Sequence, residues 1–360
     1  MRLSSILSEA WRGIMAGSAR FITIVTTLTL LSGGAAAIEL RISTEILNKA
    51  TQYQAIGANI LVLGAPNGID GTSCDNLSDL YDVQASGAIR EIDSLVVSAL
   101  PDTQTPRYAI TSGFAKVLKA KQDATQQGLL ISNELASTLN LQQGDTLALK
   151  DGQHALVKGT YDYPDDGRMP GYSYAALEEV PDTDIFDACW VRTWPQSDQV
   201  RDAIWSALTP TAKSDNGNSI TLSQLNSSQG EAFDGEAMWM NRLTIGLPAL
   251  AAILGALFGT IIVRLRRMEL ASALHCGVSK SALVLQLCIE SSAAILICAL
   301  LTVPLSYALS AWLVDAVDFA AVTTTIVQPC LTVYTAYVLS AMGNVALIKE
   351  SHLFAYFKER

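Results

Sequence analysis

The chain has 360 residues, half of them hydrophobic and only 16% charged, with a mean hydropathy of +0.29. That balance fits a membrane protein carrying a sizeable water-soluble portion better than it fits an ordinary soluble domain. The net charge of −10 is uneven: 26 acidic and 12 basic residues lie between Ile42 and Asn241, against 8 and 12 elsewhere, so the basic surface that a nucleic-acid partner needs is missing.

Residues 1–20 read as a cytoplasmic amphipathic helix. Leu3, Ile6, Leu7, Ala10, Trp11 and Ile14 recur at helical spacing, with Glu9 and Arg12 off that face. Residues 21–41 follow as a first membrane span, about 30 Å of helix. Gly33–Ala37 ends in an Ala-x-Ala pattern that a signal peptide would also show; the long leader before it favours a retained helix.

Residues 42–241 are long enough for a core of their own. Asn59–Leu63 reads as a strand ending at Gly64 and Pro66, and Gly128–Asn140 as a strand passing into a helix. Gly144-Asp145 turns the chain into Thr146–Lys150, and Ala155–Tyr161 is a further strand. Cys189–Arg192 reads as a strand and Ser197–Leu208 as a helix with a Ser-Asp cap. The mixture predicts an α/β or α+β domain. Cys74 and Cys189 are the two cysteines of this region, and outside the cytoplasm they are a candidate disulfide, provided their Cα atoms come within about 7 Å.

Residues 242–348 carry three more spans, 243–263, 281–314 and 322–348, with an arginine-rich segment at 264–280; residues 349–360 form a tail. Gly255 and Gly259 make a G-x-x-x-G spacing that permits close helix approach. Glu290 stands inside the third span, where a carboxylate is costly unless it faces other helices or lies near the cytoplasmic end. In the arginine-rich segment no glycine or proline interrupts Leu265–Cys276, which predicts a short helix. Gly277 follows it as a left-handed stop, and Ser279 or Ser281 caps the next helix. The basic residues flanking the spans all fall on one side, and the connection around Asp315 and Asp318 on the other. Both termini are therefore expected in the cytoplasm of a multi-pass cell-membrane protein, with residues 42–241 outside.

No catalytic constellation stands out. His154, His275 and His352 are far apart and read as surface residues; no cysteines have metal-site spacing, and there is no phosphate-binding Gly-x-x-x-x-Gly-Lys. Asp162, Asp165 and Asp166 read as a turn-rich loop with cation binding as the alternative. Tyr161, Tyr163, Tyr172 and Tyr174 read as packing on their own domain or as touching a partner. Glu39 and Met238-Trp239-Met240, at the outer ends of the first two spans, would line an outer-leaflet pocket in a dimer, or Trp239 would simply anchor the interface.

The order Arg266-Arg267-x-Glu269-Leu270-Ala271, five residues, then Gly277-Val278-Ser279 resembles the coupling segment of the FtsX/MacB-like ABC transporter permeases, the mechanotransmission or type VII class. Leu274 and His275 depart from that pattern, where a basic residue and an alanine are common. Gly57-Ala58-Asn59 and the stretch Ile131-Ser132…Leu135-Ala136…Leu141-Gln142-Gln143-Gly144-Asp145 resemble the same family's extracytoplasmic domain. The resemblance implies four membrane helices plus a domain of the MacB periplasmic-core type. It implies no cofactor and no enzymatic activity in this chain, with ATP and Mg on a separate cytoplasmic ABC ATPase. It further implies contact with that ATPase through Arg266, Arg267, Glu269, Leu270, Ala271, His275, Gly277 and Ser279. A second permease copy, identical or related, would pair through the first two spans, with Glu39, Met238, Trp239, Met240, Gly255 and Gly259 at a substrate or dimer interface. Efflux of an amphiphile (drug, peptide, lipid or haem-like) is the implied function. Signalling to a cell-wall hydrolase or other extracytoplasmic protein, and an iron-uptake link, are the alternatives.

Overall fold

A computed structural model of the chain describes residues 3–123, 126–210, 212, 220–313 and 319–349. It divides into two compact units, one of Met1–Asn48 with Asp234–Arg360, the other of Lys49–Phe233. In chain order, α1 (Leu3–Met15) and α2 (Phe21–Ala55) come first, α2 running well past the expected end of the span at 41. The second unit then begins with β1 (Ile60–Asp70), α3 (Gly71–Asn76), β2 (Val83–Val96), β3 (Gln104–Ile110) and α4 (Phe114–Val117). It continues with β4 (Lys121–Gln122), β5 (Leu129–Ser132), α5 (Asn133–Leu139), β6 (Thr146–Ala148) and β7 (His154–Tyr161). β8 (Ala176–Glu179), β9 (Ile185–Thr193), α6 (Asp198–Ala203) and β10 (Thr221–Gln224) close it.

The strands form one mixed sheet in the order β10-β1-β9-β2-β3-β8-β5-β7-β4, with β6 on β7; β3–β8 and β5–β7 are parallel. Side chains alternate across a strand. Ile60 and Val62 therefore join Ile89, Phe114 and Trp190 on one face, while Leu61 and Leu63 join Cys74, Phe186 and Val191 on the other. Burial on both faces is why β1 reads as an unbroken apolar run. Cys74 of α3 and Cys189 of β9 form a buried disulfide with Cα atoms 5.8 Å apart. Asn59 is buried at the start of β1 and donates from Nδ2 to the Thr193 carbonyl (3.1 Å). The buried Arg192 donates from Nε and Nη2 to the Val117 carbonyl (2.9 and 2.6 Å); burial, then the charge of Arg168, pushes its pKa down to about 10.

In the other unit, α1 and most of α2 are joined by α7 (Gly235–Met240), α8 (Leu247–Leu265), α9 (Arg267–His275), α10 (Lys280–Leu313) and α11 (Phe319–Leu347). Among the described residues, four helical stretches are long and apolar enough to cross a membrane: Phe21–Ala55, Gly235–Leu265, Lys280–Leu313 and Ala320–Leu347. The expected architecture of four membrane helices plus a mixed α/β domain is the one observed. Asp315, Asp318, His352 and the tail beyond Lys349 lie outside the described residues.

The Gly255–Gly259 spacing does allow a close helix approach, but within the chain. A Cβ on Gly255 would stand 2.4 Å from the Val333 carbonyl oxygen, and one on Gly259 2.6 Å from that of Tyr337. The expectation that these glycines offer a dimer or substrate surface is corrected: α11 already covers them. Leu250, Ile253, Leu257 and Ile261 are exposed side chains of α8.

Gly255→Ala should therefore lower stability by about 1–3 kcal/mol in thermal or denaturant unfolding of the reconstituted chain. Gly343→Ala, in open space on α11, should be neutral or mildly stabilising. Reducing the Cys74–Cys189 bridge should cost about 2–5 kcal/mol, read as earlier unfolding of the sheet unit with reductant than without.

Candidate coupling site

Between α8 and α9 the helical path breaks at one residue, Arg266, whose backbone sits at φ −104°, ψ 5°. Neither glycine nor proline causes the break; the side chain of Arg266 is drawn inward instead. Its Nη1 donates to Glu290 Oε2 of α10 at 2.6 Å, and both side chains are almost wholly buried, 2% and 1% exposed. Nε and Nη2 fork onto the two oxygens of Glu269, each at 3.2 Å, and Glu269 keeps 44% of its side chain in solvent. Burial alone would lower the Arg266 pKa; the two carboxylates more than reverse this and hold the guanidinium firmly charged. Gln286, one turn before Glu290 on α10, donates to Glu290 Oε1 (2.9 Å). On the other side lies α1, where a Cβ on Gly13 would stand 3.2 Å from that same oxygen.

α9 itself is two-sided. Leu270, Ala271 and Leu274 are buried against Val263, Leu283, Leu287, Val345 and Ile348, with Val278 packed alongside. Glu269, Ser272 and His275 are exposed, and Arg267 is half-buried. The helix stops as the sequence predicts: Gly277 adopts φ +85°, its N–H reaching the Leu274 carbonyl and that of Val278 reaching Ala273. Ser279 Oγ then accepts from the Ala282 N–H (3.3 Å) and opens α10.

The structure thus splits the eight expected contact residues. Glu269, His275, Gly277 and Ser279 are exposed and Arg267 half-exposed, whereas Arg266, Leu270 and Ala271 point into the protein and cannot form a docking face. Of the two departures from the coupling-segment pattern, Leu274 belongs to the buried side and His275 to the exposed one. Beside α9 opens a cleft of about 930 Å³ whose lining includes Arg20, Phe21, Arg264 and Arg267. Sequence reasoning had no role for Gln286 or Gly13 and no partner for Glu290. The signal was there in part: a carboxylate in an apolar run calls for a cation.

At the far end of α8, Glu39 is also buried, 2% exposed, and accepts from Arg242 Nε at 3.0 Å. The guanidinium of Arg242 lies 4.8 Å from the centre of the Trp239 ring and donates to the Trp239 carbonyl. Glu39 is thus matched inside its own chain, which corrects its expected place at a dimer pocket. Trp239 packs against the core of this unit, Met238 is half-buried, and Met240 is exposed. In the sheet unit, Asp166 is held by Arg168 and Asn226, while Tyr161 and Tyr163 are buried and Tyr172 packs on Trp190. Among the described residues no group of three or more His, Cys, Asp or Glu is placed to hold a metal ion.

The class so defined is a membrane protein with four apolar helices, a short two-sided helix between the second and third, and a large mixed α/β domain. No family model matches the chain, and no curated protein matches its sequence. Among solved structures the chain is similar to the periplasmic region of MacB from Actinobacillus actinomycetemcomitans, at 14% identity and a TM-score of 0.31, over 42% of this chain and 82% of that one. It is also similar to the extracellular domain of the noncanonic ABC-type transporter YknZ from Gram-positive bacteria, at 17% identity and a TM-score of 0.29, over 46% and 99%.

Removing one member of a buried ion pair strands the other. Arg242→Ala should cost about 3–5 kcal/mol in thermal unfolding of the reconstituted chain. Arg264→Ala, at an exposed arginine on the last turn of α8, should change stability by about 0.5 kcal/mol at most.

Proposed function

We propose that the chain is the permease subunit of an FtsX/MacB-like ABC transporter. The observation that carries this reading is the build of α9: an apolar root sunk among the membrane helices, a polar ridge left exposed, and a left-handed glycine stop in the register of the coupling motif. A loop that served only to orient the protein by its charge would need no such root. The chain does no chemistry itself. ATP and Mg belong to a cytoplasmic ATPase seated on α9, and the motion of that ATPase passes through the helices to the sheet domain, which lies outside the cell membrane. Two permease copies, identical or related, work together, and the cargo is an amphiphile moved outward. Both termini and α9 face the cytoplasm, a reading supported by the arginines of the 264–267 corner and by Arg12 and Arg20. The signalling and iron-uptake alternatives rest on the resemblance alone.

A cysteine-accessibility map should label position 145 from outside and position 272 from inside; the reverse at 272 would sink the reading. Glu269→Lys keeps the cytoplasmic side basic, so insertion should be unaffected, but a wrong charge in an interface costs several kcal/mol. It should leave normal membrane levels with about 100-fold weaker capture of the co-expressed ATPase. Gly277→Val has open space for its side chain but a strained backbone. It should keep the ATPase bound while uncoupling hydrolysis from stimulation by an amphiphile. Asp102→Lys in the sheet domain is the control and should change neither. Full ATPase binding and coupled activity in both Glu269→Lys and Gly277→Val would end the proposal.

A further inference from the structure

We infer that Arg266 is a positioning residue that sets the pose of α9 by sharing one guanidinium between a buried carboxylate that stays, Glu290, and an exposed carboxylate that can leave, Glu269. That the helix so held transmits the motion of an ATPase rests on the reading above; the positioning itself does not.

The apolar root of α9 supplies affinity but little direction, because hydrophobic contact is non-directional. Direction comes from Arg266. It is the one residue between α8 and α9, so its backbone is the hinge and its side chain the clasp. The planar fork of arginine can serve two acceptors at once. Nε and Nη2 engage Glu269, one turn into α9, while Nη1 is committed to Glu290 on α10. The two carboxylates differ in where they stand. Glu290 is sealed by Gln286 and the backbone of α1 at Gly13, so releasing it would leave a buried carboxylate without its cation. Glu269 is 44% exposed and can exchange Arg266 for water or for a cation on a docked partner at small cost. The buried half of the network therefore holds the hinge, and the exposed half reports occupancy of the α9 surface to α10 and α1.

The test uses the full chain alone in lipid nanodiscs, read by hydrogen–deuterium exchange of the amides of residues 267–275. The double variant Arg266→Met/Glu290→Met removes both buried charges together and leaves an apolar pair, a replacement that folds well in other proteins. It should melt like the wild type, yet its α9 amides should exchange about tenfold faster or more, with α8 and α10 unchanged. Arg266→Lys keeps a cation for Glu290 but has no fork and should also leave α9 fast. Glu269→Gln, at an exposed position that does not threaten folding, should give a smaller acceleration confined to α9. Wild-type exchange of α9 in Glu269→Gln and Arg266→Lys, or in a folded double variant, overturns the inference. A wild-type chain that captures no ATPase overturns the permease reading instead and leaves these exchange results standing.

Discussion

Charge has no place in the hydrocarbon layer unless it is matched, and the membrane unit is arranged around two such matches at the two ends of α8. Arg242, just before that helix, holds Glu39 of α2; Arg266, just after it, holds Glu290 of α10. The helix between them has 19 residues, about 28 Å, close to the thickness of a bilayer's apolar layer. Between the pinned ends, Gly255 and Gly259 let α11 approach until a Cβ on either would strike its backbone. α8 is thus tied to α2 at one end, α10 at the other and α11 along its length, leaving Leu250, Ile253, Leu257 and Ile261 for lipid or a partner helix.

The sheet unit reaches rigidity by another route. β9 lies between β1 and β2, and its neighbours carry apolar side chains on both faces, so each face closes its own core. The disulfide fastens α3 to β9 within one of those cores. Asn59 fixes the start of β1 to the end of β9, giving a structural reason for the Gly-Ala-Asn stretch: Ala58 and Asn59 are buried, and Gly57 turns the chain at φ +76°.

What was legible in the sequence was whatever depends on local pattern. The spans show as apolar runs, the stop of α9 as Gly277, and β5–α5 as an apolar strand followed by Ser132, whose hydroxyl accepts from the Leu135 N–H. What depends on partners was not legible. The glycine spacing of α8 announced a close approach, but periodicity names a face and not the helix that meets it, and that helix proved to be α11. β2 escaped because its first half carries Ser86-Gly87-Ala88, a weak strand pattern. Gly87 is there because the Phe114 backbone lies where its Cβ would be, at 2.2 Å. Nothing local tells apart the three arginines of residues 264–267, and only the corner in the backbone turns the middle one, Arg266, inward.

That inward turn divides the roles within the 264–280 segment between residues that a uniform basic loop would not distinguish. A contact residue must be hydrated before its partner arrives, and so must lose little by staying exposed; Glu269 and His275 meet that condition. A residue that sets orientation must have no hydrated alternative, because only then does its geometry persist as the surface is engaged and released. Arg266 meets the second condition through Glu290 while touching the first through Glu269. A disturbance at the exposed ridge therefore has a direct electrostatic route to a buried charge on α10, one side chain long.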